Sequence, residues 1–174
     1  MMKVFKEVQK FTQWYILIVQ ILNIGLTLLF GYSVFKQIVL KQPFGDKPAP
    51  DLLLIVSFII LLSLTILFFL LKLTTRIDEK GIHYKFFPFH FSLKTIPWDA
   101  ISSAEVRKYN AISEYGGWGL KGGFPFNRKR GKAINVSGNV GIQLVLKNDK
   151  KLLIGTQKEN DVKRVLETYK HKIL

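Results

Sequence analysis

Trp14–Phe35 reads WYILIVQILNIGLTLLFGYSVF and Leu52–Leu71 reads LLLIVSFIILLSLTILFFLL, and neither stretch contains a charged residue. A helix needs about 20 apolar residues to cross a hydrocarbon core of about 30 Å. Soluble core helices are rarely apolar on every face over such a length. Both stretches are therefore expected to be transmembrane helices. The first exceeds the roughly 7 to 15 residues of a signal-peptide core and lacks a small-x-small cleavage site after it, so it reads as a retained span.

Working outward, Trp14, Tyr15 and Tyr32 fall near the ends of the first span, where amphipathic rings favour the headgroup level. Lys3, Lys6 and Lys10 precede the first span, and Lys72, Arg76, Lys80 and Lys85 follow the second. The loop over 36–51 holds only Lys36, Lys41 and Lys47, with Pro43, Pro48 and Pro50 to break helix. The excess of basic residues outside the loop places both termini on the cytoplasmic side of an inner membrane. In residues 1–13, Val4, Phe5, Val8 and Phe11 have helical spacing, giving either an amphipathic surface helix or the frayed start of the first span. Gln20, Asn23 and Thr27, with Gly31, share one face of the first helix. This small and polar stripe is expected to pack against Ser57, Ser63 or Thr65 of the second helix.

The 174-residue chain carries 26 Lys and Arg against 12 Asp and Glu. Residues 72–174 hold 20 of the basic and 9 of the acidic residues, an excess of +11. Charge of this sign suits an anionic leaflet or nucleic acid, but no nucleic-acid recognition motif accompanies it and none is expected as a partner. The runs LTTRI, GIHYKFF, FSLKTI, ISSAEVRKY, KAINVSG, IQLVLK and KLLIGT predict about seven antiparallel strands. Hairpin turns fall at Asp78–Gly81 and Asn148–Lys150, with Gly81 and Asn148 suited to positive φ. Thr156 and Glu159 have capping-box spacing, predicting a helix over 157–172 whose stripe is Val162, Val165, Leu166, Tyr169 and Ile173. The expected fold is α+β: a two-helix transmembrane hairpin, then over 72–174 an antiparallel barrel with a C-terminal capping helix, or a sandwich with a helical appendage.

The phrases Ile96–Ile101 (IPWDAI), Tyr115–Leu120 (YGGWGL), Asn135–Gly138 (NVSG), Gly141–Leu144 (GIQL) and Ile154–Gln157 (IGTQ), in this order of elements, resemble small bacterial membrane proteins with a pleckstrin-homology-like domain. That resemblance implies the barrel-and-helix architecture and no particular activity.

Chemistry-bearing motifs are sparse. There is no cysteine, and His83, His90 and His171 are too dispersed for a metal site. Gly117–Gly122 fits G-x-G-x-x-G but runs into Gly123-Phe-Pro, which does not open a helix as a dinucleotide fingerprint must. Asn135-Val-Ser137 is a sequon that a cytoplasmic strand would leave unused. Asp99, Glu105 and Glu114 read as surface carboxylates, and Trp98 as core. No catalytic residue, metal or cofactor is expected, and the chain is read as non-enzymatic.

The candidate contact site is the long loop from Tyr109 to Lys132. It interleaves Trp118, Phe124 and Phe126 with Lys121, Arg128, Lys129, Arg130 and Lys132. Such a loop either seats on anionic headgroups or lies as a solvated basic surface with its rings packed back on the domain. The expected function is a membrane-anchored module presenting a basic surface to anionic lipids or a protein. The alternative is an accessory subunit of a transport or envelope complex, acting through the hairpin with a membrane protein partner or by self-association.

Overall fold

The structure, a computed structural model, describes residues 4–122 and 131–173. The chain forms two compact units: one from residues 12–70, the other from the segments that flank it on both sides.

In the first unit, α1 (Trp14–Val34) continues through one π-helical turn, Phe35–Val39, and α2 (Asp51–Leu70) returns. The contacts pair Asn23 with Leu61 and Thr65, and Gln37 with Ala49 and Asp51, so the helices run antiparallel. Gly31 gives the close approach: a Cβ there would lie 3.0 Å from the ring of Phe58. Only 11% and 6% of the apolar windows of these helices are buried. Both are long and apolar enough to cross a membrane.

The second unit begins before the hairpin. Residues 5–10 form β1 (Phe5–Lys10), which pairs antiparallel with β2 (Lys72–Asp78) from Phe5 opposite Ile77 to Lys10 opposite Lys72. This corrects the helical reading of residues 1–13. Phe5, Glu7 and Gln9 are buried and alternate with exposed neighbours, a period of two rather than 3.6. It also moves the domain boundary, since the β-domain is not confined to 72–174.

The first sheet runs β1-β2-β3-β4, with β3 (Gly81–Phe87) and β4 (Lys94–Pro97) completing an antiparallel meander. Gly81 has φ of +149°, and a Cβ would fall 2.2 Å from the carbonyl oxygen of Ile96, so both backbone and neighbour exclude a side chain. A short 3₁₀ turn at Trp98–Ala100 leads into β5 (Ile101–Lys108) and the second sheet. That sheet is ordered β5-β8-β9-β7-β6, from β6 (Gly119–Lys121), β7 (Lys132–Asn135), β8 (Val140–Leu146) and β9 (Lys151–Gly155). All its pairings are antiparallel except β7 with β9. At the β8–β9 turn Asp149, not Asn148, takes the positive φ, at 60°.

Two sheets, of four and five strands, thus replace the expected barrel of about seven, and no ladder among the described residues joins them into a closed barrel. What unites them is a shared core. Leu73, Ile77, Ile82 and Phe86 of the first sheet meet Ile142, Leu144 and Ile154 of the second, with Val162, Val165, Leu166 and Tyr169 of α4 (Glu159–Tyr169). Each such side chain contributes about 1.5–3 kcal/mol on full burial. Helix α4 forms where the apolar stripe requires it, and its start keeps half of the expected capping box: the Lys158 amide donates to Thr156 Oγ1 at 3.1 Å, but Glu159 does not reach back. Glu159 pairs with Lys163, and the carboxylate that serves this end comes from β1. Thr156 Oγ1 donates to Glu7 Oε2 at 2.7 Å, and the Gln157 amide donates to Glu7 Oε1 at 2.9 Å.

Candidate functional site

The loop from Tyr109 to Lys132 is structured at its base. Asn110 caps a short helix, α3 (Ala111–Tyr115), accepting from the amides of Ile112 and Ser113, while Glu114 Oε1 accepts from the Asn110 amide at 2.8 Å. Gly116, at φ of 72°, ends it in the left-handed conformation. Arg107 then clamps this helix to the sheet: Nη2 donates to Glu114 Oε2 at 2.9 Å, to Tyr115 Oη at 3.1 Å and to Gln143 Oε1 at 3.0 Å. Burial works against the charge on Arg107, but Glu114 and Tyr115 outweigh it and raise its pKa. Glu114 is therefore an ion-pair partner, not a free surface carboxylate. Tyr109 is buried and accepts from Asn135 Nδ2 at 3.0 Å. Burial, the largest cause, raises its hydroxyl pKa.

The structure divides the predicted contact residues. Trp118 is half-buried at one end of β6, its Nε1 pointing to the Gly138 carbonyl at 3.4 Å. Lys121 and Lys132 lie together at the other end of the β6–β7 pair, where Gly122 abuts the Lys132 backbone. Three strand residues, about 10 Å, separate the two ends. Phe124, Phe126, Arg128, Lys129 and Arg130 lie outside the described residues. The G-x-G-x-x-G segment forms strand β6, not a helix start.

A chain of contacts ties this loop to β1. Gln9 Nε2 donates to the Gly155 carbonyl at 2.7 Å, and a Cβ on Gly155 would meet Asn135 at 2.9 Å and the Tyr109 hydroxyl at 3.4 Å. The loop base thus stands across from the last residues of β1.

In the helix pair, the expected stripe is resolved residue by residue. Asn23 Nδ2 donates to Thr65 Oγ1 at 2.7 Å and to the Leu61 carbonyl at 3.3 Å, and the Thr27 and Thr65 hydroxyls are 3.2 Å apart. Of the three serine and threonine candidates, Thr65 is the partner. Gln20 makes no hydrogen bond among the described residues. In a bilayer such bonds contribute about 0.6–2 kcal/mol. Asn23→Leu is accordingly expected to lower the detergent or thermal resistance of the full chain by about that amount, and Gln20→Leu to leave it unchanged. Unfolding of the two variants in mild detergent would measure the difference.

A second polar cluster has no signature in the sequence. His83 is buried, with Nε2 2.9 Å from Asp78 Oδ1 and Nδ1 2.8 Å from Thr95 Oγ1. Asp78 also pairs with Arg76 at 2.9 Å and accepts from the Lys80 amide. These groups border a cavity of about 510 Å³ together with Leu93 and Tyr169. Burial would raise the Asp78 pKa, but the bonds from His83 and Lys80 and the Arg76 charge prevail and hold it below the usual carboxylate value. A depressed folded-state pKa stabilises the fold above the unfolded value, near 3.9, and that contribution is lost as pH falls through the folded value. The stability gap between the native chain and Asp78→Asn, followed by urea unfolding, should be full at neutral pH and close below about pH 4.

Also unforeseen is an exposed aromatic turn between β3 and β4, containing Phe89 and Phe91. Among the described residues no group of three or more His, Cys, Asp or Glu is placed to hold a metal ion.

Residues 2–166 match the model of a family described as a family of unknown function (DUF6141). No curated protein and no solved structure matches the chain.

Proposed function

The chain belongs to the DUF6141 family, whose function is unknown, and from the physical properties of this member we propose that it is a non-enzymatic, membrane-anchored module that presents a cationic β-domain to anionic lipid headgroups. The observation that carries this reading is the hairpin. Its apolar windows are only 11% and 6% buried, which in water would leave two whole spans exposed, far beyond the patch a soluble monomer tolerates. Lipid is the solvent that such helices fit. Both chain segments that leave the hairpin enter the same sheet, through Lys10 and Lys72, so insertion would tether the domain at two points. Tethering raises its effective concentration at the surface, and each Lys or Arg near an anionic leaflet adds about 1 kcal/mol.

The positive flanks support an orientation with both termini on the cytoplasmic side of the inner membrane. Lys121 and Lys132, with Trp118 and the basic run between them in sequence, are the proposed headgroup contacts. Two sheets, antiparallel except for β7 with β9, packed with a C-terminal helix over one core, support a pleckstrin-homology-like relationship. The alternative, an accessory subunit working through the hairpin, has less support, because Asn23 and Thr27 spend their polar groups on Thr65 within the chain.

The test is fractionation followed by vesicle binding. The full chain is expected to stay in the membrane pellet through alkaline carbonate washing. The β-domain, freed of residues 12–70, is expected to sediment with anionic vesicles and not with neutral ones at low salt. A chain that remains soluble without detergent would overturn the anchor, and equal binding to both vesicle types would overturn the lipid preference.

A further inference from the structure

From the end of β3 to the start of β4 the chain reads Lys85-Phe-Phe-Pro-Phe-His-Phe-Ser-Leu-Lys94; Phe86 points into the core, and the rings beyond the strand point outward. Phe89, Phe91 and Leu93 are 57%, 81% and 46% exposed. One exposed apolar side chain is ordinary, but three within five residues on one turn form a patch. The turn is built rather than loose. The His90 amide donates to the Phe86 carbonyl at 2.8 Å, the ring of Phe89 stacks on Phe86 at 5.8 Å, and Phe91 meets Phe87 edge-on at 6.1 Å. The ammonium groups of Lys72 and Lys85 each lie 5.6 Å from the centre of the Phe87 ring. From Gly81 to Trp98 there is no carboxylate, so Lys85 and Lys94 have no neutralising partner on their own hairpin, and Lys72 joins them from β2 opposite Phe87.

Strand register fixes where this patch stands in the chain's connectivity. Phe87 pairs with Lys72, and Lys72 pairs with Lys10. Lys72 follows Leu70, the last residue of α2, by two positions, so no more than about 7 Å of chain separates them. Phe87 is one strand spacing, about 4.8 Å, further on. The aromatic turn therefore leaves the sheet at the end where both apolar helices join it.

We propose that the β3–β4 turn is a second bilayer contact: Phe89, Phe91 and Leu93 enter the interfacial layer of an anionic leaflet while Lys72, Lys85 and Lys94 meet its headgroup phosphates. This rests on the membrane reading above and deepens it by naming the element that seats the domain. Rings interleaved with lysines are the composition of interfacial anchors, where the ring takes the acyl boundary and the ammonium the headgroup.

The chain has no cysteine, so a single introduced thiol can carry an environment-sensitive fluorophore. The full-length protein is reconstituted in phosphatidylcholine vesicles with and without phosphatidylglycerol, with a lipid spin-labelled near its headgroup as quencher for positions 91, 92 and 150 and one spin-labelled deep in its acyl chain for position 62, which lies at the middle of α2. The labelled positions are Phe91→Cys, Ser92→Cys (which keeps both exposed rings), Lys150→Cys on the far β8–β9 turn, and Leu62→Cys within α2. Labels at 91 and 92 are expected to emit at shorter wavelength than the label at 150 and to be quenched severalfold more, with the difference growing when phosphatidylglycerol is present. If the label at 62 is quenched while those at 91 and 92 behave like 150, the seat is wrong and the membrane reading stands. If none of the labels is quenched, the membrane reading fails and the seat with it. Short-wavelength emission at 91 and 92 without lipid quenching would mean that protein covers the turn, and would overturn the lipid assignment.

Discussion

A chain in which residues 12–70 are replaced by a short Asn-Gly turn is expected to fold as a soluble β-domain, whereas residues 71–174 alone are expected to be unfolded or aggregated. The reason is β1. Without it the domain loses the buried ring of Phe5, the Glu7 carboxylate that receives Thr156 and Gln157, the Gln9 bond to Gly155, and the whole ladder from Phe5–Ile77 to Lys10–Lys72. Removing a buried Phe side chain alone costs about 3–5 kcal/mol, against a total stability of about 5–15 kcal/mol for a typical domain. The shortened chain should succeed because Lys10 and Lys72 face each other across an antiparallel pair. Their Cα atoms are about 5 Å apart, a gap that a two-residue hairpin turn spans. Dispersed amide resonances and a cooperative urea transition for the turn-closed chain, set beside their absence in 71–174, would establish this. A well-folded 71–174 fragment would show that β1 is dispensable.

Trp98→Ala is expected to be the most damaging single substitution, at about 3–5 kcal/mol. Trp98 sits in the 3₁₀ turn where the chain passes from the first sheet to the second. It is 4% exposed, stacks on Tyr169 of α4 with ring centres 5.3 Å apart, and donates from Nε1 to the Asp78 carbonyl at 2.9 Å. One ring thus contacts the β2–β3 turn and the closing helix from the sheet junction. Trp98→Phe should cost less, about 1–3 kcal/mol, since a ring is kept and the loss is the donor to a buried carbonyl. Urea unfolding of the turn-closed domain would rank the two. Equal costs would mean that the hydrogen bond, not the packing, is what Trp98 contributes.

The helices are legible because each is an uncharged apolar run of about 20 residues, a length and composition that read as helix before any pairing is known, and Asn23 and Thr27 announce their shared face by helical spacing. Strand β1 is hidden by inverted alternation. Val4 and Val8 are exposed while Glu7 and Gln9 are buried, so its polar residues read as solvent-facing. Their partners, Gly155 to Gln157, lie at the far end of the chain. Helix α3 carries a readable cap in Asn110 and a stop in Gly116, yet its single turn vanishes within what looks like one basic loop. The division into two sheets depends on pairings such as parallel β7–β9, which no local pattern encodes. The exposed turn at Phe89 and Phe91 lies between and within runs that read as strand, since β-propensity does not distinguish a ring that points inward from one that points out.

The pairing of β1 with β2 across the hairpin also orders the protein's assembly in time. The first strand leaves the ribosome with no partner, and it must wait while both helices are made before Lys72 to Asp78 appears. Closing so long a loop by diffusion carries an entropic cost that grows with its length. An antiparallel helix pair joined at Asn23 and Thr65 brings its two outer ends together in advance, and what remains for the strands is a short search. Helix association would therefore be the step that sets the pace of sheet completion. A weakened Asn23–Thr65 contact would show itself as a delay in maturation of a domain to which neither residue belongs.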